Sequence, residues 1–252
     1  MNQISLRAKG VEPLSSRHAV LQGWRLRFNV QHFFRHEGGV GNIQPSAPND
    51  RVYGILYDCP DESLEPLDAS EACGFGYRRT TVNVQSNGEL IPAFTYIGMP
   101  EFIDENCLPS RRYLNILIEG AQLADLNSEF IQTLMKQSVH QPDEYPPYST
   151  PPGYFPRFNS ESLSRYPLYT ALYGAVFDMS KARPLHEYLK GFFGGRDMTL
   201  FHLKRLDSSN GYETLEDIRQ GRLNESQRRY LNDYLNEYAR EYQYVGKFDY
   251  NL

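Results

Sequence analysis

The chain has 252 residues with a formal net charge of -5, and 40% of its residues are hydrophobic. An acidic chain is not typical of proteins that bind nucleic acid, because phosphate binding depends on a surplus of Lys and Arg. No apolar run reaches the roughly 18–20 residues that span a bilayer, so we predict no transmembrane segment. Met1 is not followed by the basic start and apolar stretch of a secretory leader, and we expect a cytoplasmic protein.

Three cysteines, Cys59, Cys73 and Cys107, are present, and none forms a C-x-x-C pair with another. An odd number without that spacing suits neither a disulfide framework nor a zinc site. We therefore expect reduced thiols and no metal.

Several segments of the first half are rich in aromatic or β-branched residues and are predicted to be strands. The last two flank Asn87-Gly88, a strong hairpin signal because both turn positions need a positive φ. The predicted strands are residues 24–30, 51–57, 77–85 and 90–97.

Two helices are predicted after these strands. Ser110 is placed to cap a helix with one apolar face that ends at Gly120, and Asn127 is placed to cap a second helix that runs through Lys136. Strands followed by helices indicate a small, barrel-like α+β domain.

Residues 142–156 contain six prolines in fifteen positions. Proline removes backbone donors and restrains the residue before it, so this stretch predicts an extended, semi-rigid spacer. We therefore divide the chain into a domain over 1–136, a proline-rich linker over 137–156 and a second domain over 157–252. A polyproline II ligand for a partner domain is the alternative interpretation of the same prolines.

The second half is predicted to contain two short helices, over 161–165 and 214–219, and a longer one that begins at the capping box of Asn224 and Gln227. Tyrosines follow in this last helix at helical spacing. We interpret them as core packing rather than as a ligand site. They are Tyr230, Tyr234 and Tyr238.

Residues 67–79 place a carboxylate, Glu71, just before a glycine-rich turn that enters a strand. Together with the runs 23–29, 41–45 and 113–121, this segment resembles the γ-glutamylcyclotransferase family, also called AIG2-like, over about residues 1–136. The resemblance implies a small mixed β-barrel that needs no cofactor.

The same resemblance assigns roles to individual residues. It implies that Glu71 is the catalytic acid/base and that Gly74, Gly76 and Tyr77 bind substrate. Ala72 stands where the family has glycine, and Phe130 where it has a later tyrosine.

The implied reaction is an intramolecular cyclisation of γ-glutamyl amino acids or amines. The α-amine attacks its own γ-carbonyl and releases 5-oxoproline and a free amine, as in glutathione metabolism. One positioned carboxylate serves as base and then acid. The family carries a Y-G-S-N loop ahead of the segment at which this chain begins, so we expect that the start codon has been placed too late; a truncated product is the alternative.

In the second half, residues 158–180, 191–201 and 242–248 resemble cytochrome b5-like domains of the membrane-associated progesterone receptor type. The resemblance implies an α+β domain that binds haem or a sterol, with a tyrosinate ligand to the iron. Tyr242 matches a haem-pocket tyrosine, and Tyr188 lies two residues before Lys190, which stands at the family's ligand position. The sequence has no H-P-G-G motif, so bis-histidine ligation by His186 and His202 is not expected.

Residues 194–197 of this domain, Gly-Gly-Arg-Asp, are interpreted as structural. We expect a tight turn at the two glycines and a buried pairing of Arg196 with Asp197.

These observations favour a two-domain α+β protein: a γ-glutamylcyclotransferase-like enzyme with an appended cytochrome b5-like domain. Its partners are expected to be a γ-glutamyl small molecule and haem or a sterol. A non-catalytic haem- or sterol-binding protein with a degenerate cyclotransferase scaffold is the alternative. A two-domain interaction protein is the third possibility.

Overall fold

The computed structural model describes residues 6–7, 9–141 and 143–251. The chain folds as two compact units, Met1–Pro142 and Asp143–Leu252. Within the described ranges, no helix has both the length and the apolar character needed to cross a membrane. The expectation about the chain start concerns residues 1–5 and whatever precedes them, which lie outside the described residues.

The first unit contains two antiparallel sheets. One has the strand order β4-β1-β5-β6, and β2 and β3 form the other. The strands are β1 Ser15–Gln22, β2 Trp24–Gln31, β3 Gly39–Pro45, β4 Arg51–Asp58, β5 Tyr77–Ser86 and β6 Glu89–Gly98.

The predicted strands are all present, and the hairpin between β5 and β6 is confirmed. Asn87 and Gly88 have φ values of 50° and 84°, as the tight turn requires. The sequence did not identify β1 and β3. The first half of β1 is exposed, and β3 carries two glycines in Gly39 and Gly41, so neither strand shows a clear hydrophobic pattern.

The expected mixed β-barrel is only partly right, because the strands that pair in the described part of this unit do so antiparallel and in two separate sheets. The β1 strand pairs with β5 at a single position, Val20 opposite Gln85, so the larger sheet splays there. A mainly apolar cavity of about 470 Å³ is lined by side chains of both sheets and by Leu64 and Leu67.

Three α-helices of the first unit have both ends among the described residues: α1 Leu64–Ser70, α2 Arg111–Leu123 and α3 Ser128–Met135. Both predicted caps are confirmed, since the side chains of Ser110 and Asn127 accept hydrogen bonds from the amides of Tyr113 and Phe130. The prediction that Gly120 ends α2 is wrong. This glycine is buried inside the helix, beside the core that Leu114 and Ala121 help to form.

The second unit has a five-stranded sheet of order β10-β8-β9-β11-β7. Residues 169–178 form a hairpin, because Tyr173 and Gly174 have φ values of 44° and 85° and reverse the chain. The strands are β7 Arg157–Phe158, β8 Tyr169–Leu172, β9 Ala175–Asp178, β10 Arg196–Asp197 and β11 Gln243–Phe248.

The three helices predicted in this unit are present, whereas those over Glu187–Phe193 and Thr199–Leu203 were not predicted. The capping box of Asn224 and Gln227 is present, and the tyrosine stripe of the last helix is buried, which confirms its packing role. The helices are α4 Ser160–Ser164, α5 Glu187–Phe193, α6 Thr199–Leu203, α7 Leu215–Arg219 and α8 Glu225–Glu241.

The proline-rich segment has neither helix nor strand among its described residues, but from residue 143 onward it is not a free spacer. Tyr145 Oη donates to Glu237 Oε1 at 2.7 Å, and the Tyr148 amide donates to Asn232 Oδ1 at 2.7 Å. The expected spacer is therefore corrected for this stretch. Residues 143–156 form a strap on the second unit, held in part by α8.

Candidate functional site

The end of α1 fixes the position of Glu71. The amide of Ala72 donates to the Ala69 carbonyl at 3.2 Å, and that of Cys73 donates to the Asp68 carbonyl at 2.9 Å. This pair of hydrogen bonds is a Schellman motif, and it makes Glu71 the C-cap residue. The carboxylate is thus held by the helix end rather than by a mobile loop.

Ala72 takes the left-handed conformation that this motif requires, with a φ of 49°. The family's glycine is replaced here without loss of the turn. The Ala72 carbonyl accepts from the amides of Phe75 and Gly76, each at 2.9 Å, and the Gly74 amide donates to the Tyr77 carbonyl at 2.8 Å. The amides of the two glycines are therefore used inside the turn, and these residues shape it.

The Glu71 carboxylate forms an ion pair with Lys9, and the Glu71 side chain is 22% exposed. The two residues are 62 positions apart in the chain, and the sequence analysis did not predict their contact. The ammonium group of Lys9 thus contacts the carboxylate of the residue that the family resemblance makes the catalytic acid/base.

Tyr77 lies close to Glu71 and is fixed by the backbone of β3. Its hydroxyl donates to the Gly41 carbonyl at 2.8 Å, while the Gly41 amide donates to Tyr113 Oη at 3.1 Å. A Cβ at position 41 would lie 2.8 Å from that Tyr113 oxygen, so a larger residue there would displace the Tyr113 hydroxyl. Burial, with contributions from Tyr113 and Glu71, raises the pKa of Tyr77 well above its ordinary value.

A second carboxylate, Asp68, lies one helical turn before Glu71. It accepts a hydrogen bond from Tyr96 Oη at 2.6 Å and pairs with Arg79 Nη1 at 2.5 Å. Burial raises the pKa of Tyr96, and Asp68 and Glu71 add to the increase. The arrangement packs Tyr96, from β6, against the carboxylate end of α1.

A buried ion pair stabilises the neighbouring part of this unit. Glu37 is 2% exposed, and its Oε2 atom lies 2.7 Å from Arg112 Nη2 and 3.0 Å from Ser110 Oγ. Burial alone would raise the pKa of Glu37, but Arg112, His32 and His36 together lower it well below its ordinary value. Glu37 is thereby held as an anion at the start of α2.

Neither Glu71 nor Tyr77 lines the cavity between the sheets. In the described part of the chain, no three His, Cys, Asp or Glu side chains are grouped as metal ligands would be. The chemistry available at Glu71 is that of a carboxylate, an ammonium group and phenols.

In the second unit, Tyr242 is buried and already bonded. Its Oη lies 2.9 Å from His186 Nδ1, and its ring packs edge-on against Tyr238 at 5.2 Å between centroids. Burial raises the pKa of Tyr242, which disfavours the tyrosinate that would bind iron. Tyr242 does not fit the role of a haem ligand, because iron would have to displace His186 from the Tyr242 oxygen.

Tyr188, the other tyrosine predicted to bind haem, lies in α5 and stacks on Phe192 with centroids 6.2 Å apart. Lys190, at the family's ligand position, pairs with Glu187 at 2.8 Å. Haem binding by the second unit stays a prediction, as does its cytochrome b5-like fold.

The expected turn at Gly194 and Gly195 is confirmed, and Gly195 has a φ of 72°. A Cβ at Gly194 would lie 1.9 Å from the Pro167 carbonyl oxygen. The expected pairing of Arg196 with Asp197 is wrong. Arg196 is exposed, and Asp197 Oδ1 instead accepts from Thr199 Oγ1 at 2.6 Å. Burial raises the pKa of Asp197 to about 6, and its buried Oδ2 has no hydrogen-bond partner among the described residues.

Comparison with known proteins supports the cyclotransferase resemblance for the first unit. A family model described as the AIG2-like family matches residues 51–134, which include Glu71 and Tyr77. Residues 51–134 of the first unit are therefore similar to the AIG2-like family.

Similar sequences and structures cover about half of the chain. The chain is 27% identical over 147 residues to "Gamma-glutamyl cyclotransferase gliK" of Claviceps purpurea (strain 20.1), a match over 55% of this chain and 66% of that protein, just under two thirds of its length. A solved structure titled "Gamma-glutamyl cyclotransferase" is 25% identical, covers 55% of this chain and 81% of its own, and has a TM-score of 0.47. An uncharacterized protein from Homo sapiens is 23% identical, with coverages of 52% and 79% and a TM-score of 0.45.

Proposed function

We propose that the protein is a γ-glutamylcyclotransferase that releases 5-oxoproline from γ-glutamyl amino acids or amines, with Glu71 as its acid/base. The observation that carries this proposal is the position of Glu71 within the AIG2-like match, at a fixed helix end and in contact with an ammonium group. The α-ammonium group of a γ-glutamyl substrate has the same chemistry as the ammonium group of Lys9.

The proposed reaction begins when the substrate α-ammonium group replaces Lys9 on the carboxylate of Glu71. Glu71 accepts one proton, and the free α-amine attacks the γ-carbonyl carbon to form the C–N bond of the five-membered lactam. The bond between this carbon and the leaving nitrogen then breaks as Glu71 returns the proton to that nitrogen. Glu71 next takes the second proton from the ring nitrogen, which still carries two hydrogens, and passes it to the released amine. The products are 5-oxoproline and an amine or amino acid that leaves as an ammonium ion, so the hydrogens on the two nitrogens balance.

Orientation supplies much of the acceleration in such an intramolecular attack, because the folded-back substrate has already lost its rotational freedom. Tyr77 contributes a neutral wall beside Glu71, because a tyrosine phenol is protonated near pH 7 and burial raises the pKa of Tyr77 further. The developing oxyanion needs hydrogen-bond donors. The amides of Gly74 and Gly76 are already bonded within the turn, so we assign this task to other groups.

The test is 5-oxoproline release from a panel of γ-glutamyl amino acids and amines, measured for the native chain and for Glu71→Gln. We expect the variant to lose at least about 100-fold in kcat/KM, the range typical of a lost acid/base. Glu65→Gln is the matched control, because it makes the same change at an exposed position of the same helix.

Two results would contradict this assignment. One is release that is equal in the native chain and in Glu71→Gln. The other is the absence of release from every compound by a native chain whose circular dichroism spectrum shows it to be folded.

The predicted haem-binding role of the second unit has its own test, a titration of the full chain with haemin followed by the Soret band. Because the Tyr242 oxygen is already hydrogen-bonded to His186, we expect that Tyr242→Phe leaves any Soret band unchanged. A Soret band that the native chain shows and Tyr242→Phe loses would restore Tyr242 as the ligand.

A further inference from the structure

A short loop of the strap projects from the second unit into solvent. Residues 151–154 have the sequence Pro-Pro-Gly-Tyr, and all four are exposed. The side chain of Tyr154 is fully exposed, at 100%. Tyr154 thus presents an unpacked aromatic ring two residues after a pair of prolines. This exposed combination does not contribute to the packing of the second unit.

Both ends of this loop are attached to the second unit. Before the loop, the Tyr148 amide donates to Asn232 Oδ1 at 2.7 Å, and after it the Phe155 ring packs edge-on against Tyr244 of β11, with centroids 4.8 Å apart. The Lys247 amide donates to the Pro156 carbonyl at 3.0 Å. The unit therefore displays the loop between two fixed points.

An earlier part of the strap provides an internal contrast. Residues 146–148, Pro-Pro-Tyr, face the unit: the Pro146 carbonyl accepts from Asn232 and Asn236, each at 3.0 Å, and the Tyr148 ring packs on Phe177. The first Pro-Pro pair and its tyrosine therefore pack within the unit, whereas the second pair and Tyr154 are exposed to solvent.

We propose that residues 151–154 are a docking peptide for a WW-type domain. Such domains bind proline-rich ligands in an aromatic-lined groove, and the ligand loses little entropy because proline already restricts the backbone. Pro151 and Pro152 supply the rigid part. Tyr154 supplies an aromatic anchor of the kind that dominates binding energy when a pocket buries it.

The spacing of the prolines favours this class of partner over an SH3 domain. SH3 ligands typically carry P-x-x-P, and no two prolines in residues 142–156 stand three positions apart. Gly153 has a φ of 138° and carries no side chain, so rotation at this residue can bring Tyr154 into line with the prolines at low steric cost.

The test is a calorimetric titration of the full chain with an isolated WW domain that binds peptides of the form Pro-Pro-x-Tyr. We expect saturable binding with one WW domain per chain. The variants Pro152→Ala and Tyr154→Ala should each weaken it at least about tenfold, because each removes one of the two anchors.

Tyr212→Ala is the matched control, since Tyr212 is also exposed, at 80%, but has no neighbouring proline. It should leave the affinity unchanged. The proposal is overturned by the absence of binding at WW-domain concentrations of about 1 mM, by equal affinities for the native chain and Tyr154→Ala, or by tighter binding of an SH3 domain to the same residues. Because the substituted side chains are exposed, misfolding does not confuse the result.

Discussion

Glu37 in the first unit and Asp197 in the second are both carboxylates removed from water, yet their pKa values shift in opposite directions. Glu37 lies beside Arg112, and its pKa is lowered well below the ordinary value of 4.5. Asp197 has hydroxyl and amide donors but no cation in its hydrogen-bonding shell, and its pKa rises from 3.8 to about 6. Burial raises both values, and the neighbouring cation decides the sign.

The two units therefore respond oppositely to pH. The stability that Glu37 contributes is present above its unfolded pKa and is lost as pH falls through its lower folded value. The contribution of Asp197 is present below its unfolded pKa of 3.8 and is lost as pH rises through about 6. On acidification the second unit gains stability as pH falls from about 6 to 3.8, whereas the first unit begins to lose stability only below 4.5.

The largest expected effect is that of Glu37→Gln. The substitution leaves Arg112, only 11% exposed, without its buried counter-ion, which should destabilise the first unit by about 3–5 kcal/mol. Hydrogen exchange of the amides of α2 measures this loss for the first unit alone.

The double variant Glu37→Gln with Arg112→Met is the control. Removing both charges should cost less than the sum of the two single substitutions. Strict additivity would show that the ion pair does not hold this region together.

The next largest effect is expected for Asp197→Asn, which keeps an oxygen acceptor for Thr199 and removes the charge. A pKa raised from 3.8 to about 6 corresponds to about 2–3 kcal/mol, so the variant should stabilise the second unit by up to this amount at pH 8 and not at pH 4. Urea unfolding followed by hydrogen exchange of α8 at both pH values measures the change.

Asp143→Asn makes the same substitution where the side chain is 73% exposed, and it should show no such pH dependence. A gain for Asp197→Asn that is equal at pH 4 and pH 8 would mean that Asp197 is not a buried anion at neutral pH.

A smaller effect, which rests on the proposed function, concerns Glu71. This carboxylate has a cation beside it, as Glu37 has, but its side chain is 22% exposed. Lys9 pairs with Glu71 at partial exposure, so the substrate amine must displace it. We expect Lys9→Met to lower the KM for γ-glutamyl substrates by up to about tenfold, equivalent to about 1.4 kcal/mol, with little change in kcat.

Arg7→Met is a nearby comparison, since Arg7 pairs with Glu12 at high exposure rather than with Glu71. An unchanged KM in Lys9→Met, alongside Glu71-dependent turnover, would show that Lys9 does not compete with substrate.

The smallest expected effect is that of Ala72→Gly. A residue with a side chain at a φ of 49° is strained by about 1–2 kcal/mol, and glycine removes the strain but adds conformational freedom to the unfolded chain. We expect a net stabilisation of about 0.5–1 kcal/mol, measured by urea unfolding. A loss of stability would mean that the buried Ala72 methyl group contributes more to packing than the turn loses to strain.

The sequence predicted the features that depend on neighbouring residues. The Asn87-Gly88 turn, the caps at Ser110 and Asn127 and the capping box at Asn224 follow local rules, and all are present. The family motif likewise identified Glu71 as the candidate carboxylate.

The sequence did not predict the contacts between residues that are distant in the chain. Lys9 reaches Glu71 across 62 positions, and Gly41 lies between Tyr77 and Tyr113 because three separate elements meet. Arg196 and Asp197 were expected to pair because they are adjacent. Neighbouring residues of a strand point to opposite faces, so adjacency there separates side chains.

The strap also determines the order in which the second unit can form. Its partners on α8 come 84 or more residues after it in the chain, and β7 pairs with β11, near the end of the unit. During synthesis at about 5–20 residues per second, the strap therefore waits for several seconds before its partners exist. Contacts of such long sequence separation form late in folding. Until then, residues 151–154 lack the attachments on both sides that display them as a loop on the folded unit.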